Sequence, residues 1–211
     1  MKKYIFLFAI ALTTFGFIAF KPGEITTIDL GAKAPKADAK MTGTDEKQVS
    51  LNDLKKTNGL LVVFSCNTCP FVVGGDDSEG WEGRYNELQK SCDAQNIGLV
   101  LVNSNEAKRS NGDNLADMKS HASEKGYNAI KYVLDTNSEL ANAFGAKTTP
   151  HAFLFDKDMK LVYKGAIDDN VASAAKVTSP YLKNAIQNLG GGKKIDPADT
   201  KPVGCSIKRV S

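Results

Sequence analysis

The stretch VVFSCNTCPFV, Val62 to Val72, places two cysteines three positions apart at the end of an apolar run and follows the second with a proline. Leu60 to Ser65 is of strand length and lacks the alternation of a half-exposed strand, as suits a parallel strand covered on both faces. IGLVLVNSN, Ile97 to Asn105, is a second run of this kind. A strand ending at Cys66 and a helix starting at Cys69-Pro70 would bring both sulfurs to a helix N-terminus, where unpaired N–H groups favour an anion. A thiolate is such an anion, and a thiol pKa of about 8.5 falls to roughly 3.5–7.5 in such settings. Proline tolerates the first helical turn and stiffens it. The spacing alone leaves three readings open: a redox couple, half of a metal site, or two inert thiols.

The chain has 211 residues, 42% of them hydrophobic and 24% charged, which suits one globular domain with appendages. Its net charge is only +3 and its 27 basic residues are scattered, with no basic stripe interleaved with aromatics, so nucleic acid is not an expected partner. Four cysteines, Cys66, Cys69, Cys92 and Cys205, are too few for a disulfide framework. At the N-terminus, Lys2 and Lys3 precede an uncharged, mostly apolar run from Tyr4 to Phe20, the layout of a secretory signal. As a helix that run would span roughly 26 Å, short of a ~30 Å hydrocarbon core. Residues 1–20 therefore read as a signal peptide or an N-terminal anchor. The protein is expected to be exported, periplasmic or anchored facing the periplasm, and to meet the membrane only through this segment.

Working outward from the cysteines, Ser50 with Asp53 marks a capped short helix that stops near Asn58-Gly59. Trp81, Tyr85, Leu88 and Cys92 form one helical stripe; Leu115, Met118 and Ala122 form another, with Gly126 as its stop. A short strand near Ile130 to Leu134 leads to a helix with Asn137 as N-cap, Leu140 and Phe144 on one face, and Gly145 at its end. HAFLFDKDMKLVYKG, His151 to Gly165, is a strand pair joined by a polar turn. Ser179-Pro180 opens the last helix, whose stripe is Leu182, Ile186 and Leu189, and Gly190 to Gly192 close it. The order β-α-β-α-β-α-β-β-α predicts an α/β domain over residues 21–192, a central mixed sheet with flanking helices and a C-terminal β-hairpin plus helix. Residues 193–211 are a tail carrying Cys205.

A second signal lies in AKTTPHAFLFD, where Pro150 opens a predicted strand, a place proline occupies only at an edge or a start. A cis Thr149–Pro150 bond would bring a free backbone edge close to the sulfurs. A strand ending in C-x-x-C followed by a Thr-Pro pair before a hairpin resembles the thioredoxin-like pattern. CNTCPFV, NSN, TTPHAFLFD, LVYKGAIDDN and TKPVGCSIK are similar to the peroxiredoxin-like redoxins that keep a C-x-x-C, over about Lys33 to Lys208. The resemblance implies a thioredoxin fold, thiol-disulfide oxidoreductase activity and a cis proline at Pro150.

Three departures from that pattern stand out. Thioredoxins carry a buried acid on the strand before the nucleophile, but Leu60 to Ser65 has no carboxylate, leaving water or a distant acid such as Asp168 or Asp169. Gly74-Gly75 and the DDSEG segment interrupt the expected helix, predicting a short first turn, a loop and a restart near Ser78. If Cys69 took the peroxidatic position, the proline and threonine of a peroxiredoxin would fall on Val62 and Cys66, so a strict peroxidase is the weaker reading.

A structural zinc site wants further ligands, and Cys92 and Cys205 are single. Haem attachment fails because residue 70 is proline. Cys92 lies on a helical stripe and reads as a core thiol. Cys205 is the candidate relay of oxidation to or from the pair. His121 reads as a surface or capping residue, and His151, directly after Pro150, reads more as a residue facing away from the site than as a member of it. Trp81 reads as core or groove wall, and Asp76, Asp77 and Glu79 as a solvated loop near the site. The expected protein is an exported thiol-disulfide oxidoreductase in which Cys66 is the nucleophile, Cys69 resolves, and Pro150 with Thr149 docks the partner. Its expected partners are protein thiols or disulfides, a small thiol or a peroxide. No cofactor is expected, because the electrons reside in the sulfurs. The alternatives are a thiol peroxidase and a module that holds copper through Cys66 and Cys69.

Overall fold

The computed structural model describes residues 25–210; the expected signal peptide or anchor, residues 1–20, lies outside them. In chain order the elements are β1 (Met41–Gly43), β2 (Gln48–Val49), α1 (Leu51–Leu54), β3 (Gly59–Ser65), α2 (Pro70–Val73) and α3 (Tyr85–Ala94). Then follow β4 (Ile97–Asn103), α4 (Leu115–Glu124), β5 (Lys131–Leu134), α5 (Glu139–Phe144), β6 (Thr148–Thr149), β7 (His151–Asp156), β8 (Leu161–Gly165), α6 (Tyr181–Gly190) and β9 (Cys205–Ser206). A seven-stranded sheet has the order β2-β1-β5-β4-β3-β7-β8, and β6 pairs separately with β9. Strands β3, β4 and β5 are parallel neighbours; β7 runs antiparallel to β3, and β8 to β7. The α/β class and the mixed sheet with flanking helices are those read from the chain.

Every residue of β3 and β4 is buried, because both strands lie inside the sheet with helices on each face. Alternation sorts their side chains into two layers. Leu61, Val63, Leu99 and Leu101 pack with Tyr85, Leu88 and Cys92 of α3 and Leu182 and Ile186 of α6, and Cys66, Cys69 and Trp81 belong to this layer. Leu60, Val62, Phe64, Val100 and Val102 pack on the other face with Leu51 of α1 and Leu140 and Phe144 of α5. There Phe144 meets Phe64, Phe153 and Phe155 edge-on, with ring centroids 5.2–5.6 Å apart. Among the described residues no helix is long and apolar enough to cross a membrane.

Local chemistry explains most boundaries. Ser50 and Asp53 form the reciprocal capping box of α1. Asn137 is not the cap of α5: it lies at φ +55°, and the carboxylate of Asp135 accepts the N–H groups of Leu140 and Ala141 at 2.8 and 3.0 Å. Asp135 supplies two acceptor oxygens where Asn137 would offer one. Pro180 stands just before α6 rather than within it. Trp81 precedes a 3₁₀ turn (Glu82–Arg84) that leads into α3, so the helix restarts later than Ser78.

The tail departs most from expectation. The Lys164 N–H of β8 donates to the Ala198 carbonyl and the Thr200 N–H to the Lys164 carbonyl, both at 3.0 Å, and Thr200 Oγ1 lies 2.8 Å from the Tyr163 hydroxyl. Ile207 is buried in the α1/α5 layer and donates to the Lys147 carbonyl at 3.1 Å. Residues 198–209 thus cross one end of the sheet as a fastened strap. No periodicity marks this segment, because it is held by backbone pairing to distant strands rather than by an amphipathic face.

Phe144→Ala is expected to lower unfolding free energy by about 3–5 kcal/mol, measured by urea denaturation, because the ring fills the centre of a closed aromatic cluster.

Candidate active site

Strand β3 delivers Cys66 just past its end, and Cys69 caps α2 with Pro70 in the first helical position. Helix α2 has only four residues and Cys69 makes no side-chain capping bond, so too few aligned peptides are present for a helix dipole to hold an anion. Gly74, at φ +83°, ends α2, and a Cβ there would stand 2.7 Å from the carbonyl oxygens of Ser78 and Glu79. The loop from Gly74 to Gly80 therefore folds tightly back, and the Trp81 N–H returns to the Phe71 carbonyl at 3.0 Å. The glycines impose the break that the sequence implied.

The Thr149–Pro150 bond is cis. Thr149 faces both sulfurs: its Oγ1 lies 3.3 Å from Cys66 Sγ, and its carbonyl oxygen 3.4 Å from Cys69 Sγ. The backbone edge expected to be free is occupied. β9 pairs antiparallel with β6, Cys205 opposite Thr149 and Ser206 opposite Thr148. Cys205 reaches Cys69 with both its thiol and its backbone N–H. Three of the four cysteines therefore meet at one point. The fourth, Cys92, is buried on α3, and burial pushes its thiol up to about 12.

The two thiols are shifted in opposite directions. The Cys66 thiol donates to Cys69, and with the Cys205 thiol, the Cys205 N–H and the Thr149 hydroxyl it overcomes burial and lowers Cys69 to about 5. Cys66 is pushed well above the ordinary thiol range, first by keeping the proton it shares with Cys69, then by burial and by the negative charge of Asp113. The lowered thiol of the pair is Cys69 and the raised one Cys66.

Asp113, in the loop before α4, is the residue sequence reading missed. Fully buried, its Oδ1 accepts the Asn67 N–H and Asn103 Nδ2, both at 2.8 Å. Its Oδ2 accepts the Thr68 hydroxyl at 2.7 Å and Asn105 Nδ2 at 3.1 Å. Asn67 completes the clamp, donating to the Gly112 carbonyl at 2.9 Å and accepting the Tyr132 hydroxyl at 2.9 Å. The Asn67-Thr68 spacer and the Asn103-Ser104-Asn105 run are two sides of one network. The only signal of it in the chain is polar residues directly after two apolar strands.

The other candidates are engaged elsewhere. Asp168 accepts Trp81 Nε1 at 3.1 Å and pairs with Arg84 Nε at 3.0 Å; Asp169 accepts the Thr178 N–H at 3.0 Å. His121 bonds Glu82 at 2.7 Å. His151 shares a strand face with Phe153, on the layer opposite the sulfurs; burial lowers it to about 3, so it is neutral. Glu79 accepts from Ser173 and Ala174, at 3.0 and 2.7 Å, and ties the loop after α2 to the 170s, while Asp76 and Asp77 are exposed. Among the described residues no group of three or more His, Cys, Asp or Glu is placed to hold a metal ion.

A cysteine pair beyond a central parallel strand, facing a cis proline on the antiparallel neighbour, defines a protein of thioredoxin-like fold. The chain belongs to the redoxin family, whose signature spans residues 29–178. A hypothetical protein of Sinorhizobium meliloti is similar at TM-score 0.77 and 28% identity, over 88% of this chain and 97% of that one. An uncharacterised conserved protein of Geobacillus kaustophilus is similar at 0.76 and 31%, over 86% and 93%. The bacterioferritin comigratory protein of Xanthomonas campestris shares the fold, at TM-score 0.52 and 15% identity, over 78% of this chain and 99% of that one. No match is found among curated proteins.

Asp113→Asn puts an N–H₂ where an acceptor oxygen now meets two donors, so a loss of about 2–3 kcal/mol in urea denaturation is expected, with Cys66 titrating closer to an ordinary thiol. Ultraviolet thiolate absorbance of the reduced protein should persist below neutral pH and vanish only through about 5, in contrast to an ordinary thiol at about 8.5. Cys69→Ser should abolish that low-pH step.

Proposed function

We propose that the chain is an exported thiol-disulfide oxidoreductase whose working couple is Cys66 and Cys69. The observation that carries this reading is the placement of Cys66 and Cys69 together against Thr149 of a cis Thr149–Pro150 bond, with Thr149 oxygens 3.3 and 3.4 Å from the two sulfurs. A thiolate is the nucleophile of disulfide exchange, and a second thiol within reach closes the cycle. In the reductive direction Cys69 attacks a substrate disulfide R–S–S–R. One S–S bond breaks, RS⁻ leaves with the electron pair, and Cys69 holds the other half as a mixed disulfide. Cys66 then loses its proton and attacks Cys69 Sγ, releasing the second RS⁻ and leaving a Cys66–Cys69 disulfide. Two electrons have passed to the substrate. This order follows the lowered Cys69 thiol, whereas the sequence reading gives the attack to Cys66 and the resolving step to Cys69. Thr149 and Pro150 line the point of attack. Export rests on the Lys2-Lys3 and Tyr4–Phe20 pattern.

A second reading, thiol peroxidase, is favoured by the same lowered Cys69 thiol. Peroxide would take the electron pair of that thiolate, leaving a sulfenic acid and an alcohol or water, and Cys66 would condense with it to a disulfide and release water.

The test is a glutathione redox titration with thiol trapping on wild type, Cys66→Ser and Cys69→Ser. Wild type should show a reversible two-electron transition with Cys66 joined to Cys69, absent from both variants; a pair that stays reduced at every poise defeats the proposal. Rapid peroxide consumption, with sulfenic acid trapped at Cys69 in Cys66→Ser, would select the peroxidase reading.

A further inference from the structure

The sulfurs of the pair are badly placed to meet an outside molecule. Cys66 is 1% exposed and Cys69 4%, yet exchange requires an attacking sulfur to touch the sulfur it attacks. What lies over Cys69 is the chain's own strap. Gly204 lies flat on the cis peptide: a Cβ there would stand 2.2 Å from the Thr149 carbonyl oxygen and 3.1 Å from the Pro150 nitrogen. Past the strand, the Lys208 N–H reaches Asn105 Oδ1 at 2.9 Å, tying the strap to the network that clamps Asn67 and Thr68. Before it, Thr200 is fastened to β8. The strap is pinned on both sides of Cys205, and Cys205 is directed at Cys69. Unlike the pair, Cys205 is partly open to solvent, with exposed Phe71 and Val203 near it in the fold and the chain. The Phe71 N–H points at its sulfur.

We propose that Cys205 is a third redox cysteine, which takes the disulfide from the buried pair and presents it to outside thiols. This rests on the reading that Cys66 and Cys69 form a disulfide. In the first step the Cys205 thiolate attacks Sγ of Cys69; the Cys69–Cys205 bond forms as the Cys66–Cys69 bond breaks. The electron pair leaves on Cys66, which takes up a proton to balance the one Cys205 released, so no electron leaves the protein. An outside thiolate then attacks the open sulfur, Cys205, and Cys69 departs as the thiolate its surroundings favour. A second outside thiol releases Cys205, and two outside thiols have become one disulfide. Run backwards, the same steps carry electrons from the pair to an outside disulfide.

The surroundings of Cys205 change with the state of the pair. Its thiol is held up at about 11 by burial and then by the neighbouring Cys69 thiolate. When Cys69 is in a disulfide that negative charge is gone, so Cys205 gives up its proton more readily in the state in which it must attack.

The experiment uses reduced glutathione as the outside thiol. The oxidised full chain is mixed with it, quenched with acid at intervals, alkylated and mapped by mass spectrometry. Wild type is expected to pass through species with Cys205 joined to Cys69 or to glutathione, and Cys205→Ser should be reduced about tenfold or more slowly. In Cys66→Ser treated with glutathione disulfide, Cys69 and Cys205 should join and two glutathiones be released. The relay is overturned if glutathione appears on Cys66 or Cys69 while Cys205 stays free throughout, or if Cys205→Ser is reduced at the wild-type rate. Wild-type mapping depends on no variant folding. A wild-type chain whose Cys66 and Cys69 join while Cys205 never does sinks the relay alone; one in which Cys66 and Cys69 never join sinks the underlying reading too.

Discussion

A single buried carboxylate holds the cysteine-bearing end of this molecule in place. Asp113 has both oxygens filled by donors, two from the segment between the cysteines and two from the asparagines that follow β4. Isolated burial of a charge is costly, and charge-assisted hydrogen bonds are what offset it. The carboxylate is bound into its loop and presents no free oxygen to a substrate. Its charge nevertheless reaches Cys66 and helps raise that thiol. Geometry and electrostatics of the pair thus depend on one residue some forty positions downstream.

No acid stands on the strand beneath the cysteines, where the thioredoxin pattern places one. Here the strand is apolar but for Ser65 at its end, and the buried Asp113 approaches from the side through a loop. The same network extends by way of Asn105 to the Lys208 N–H, so the strap over the site and the segment bearing the cysteines share an anchor. A disturbance of either is felt by the other through buried polar bonds, which are costly to leave unmade.

The central strands, their helices and the hairpin were legible in the chain because each carries its own periodicity. Leu60 to Ser65 and Ile97 to Asn103 read as buried strands since nothing polar interrupts them. The Leu182, Ile186 and Leu189 stripe read as a helix since its spacing is 3.6. Boundaries shifted where a cap came from a residue outside the helical pattern, as with Asp135 for α5. Strands β1, β2, β6 and β9, of two or three residues, carry no pattern long enough to detect.

By itself the sequence determined the α/β class and the place of Cys66 and Cys69 at the end of a central strand, because short-range spacing and apolar runs encode both. Only the tertiary structure decided that a buried Asp113 clamps the segment between the cysteines and that the backbone edge at Thr149 is filled by the chain's own Cys205. Those depend on groups brought together from Cys66, Asp113, Thr149 and Cys205, up to 139 positions apart. Neither hydrogen bonding nor burial between residues so distant leaves a trace in local pattern.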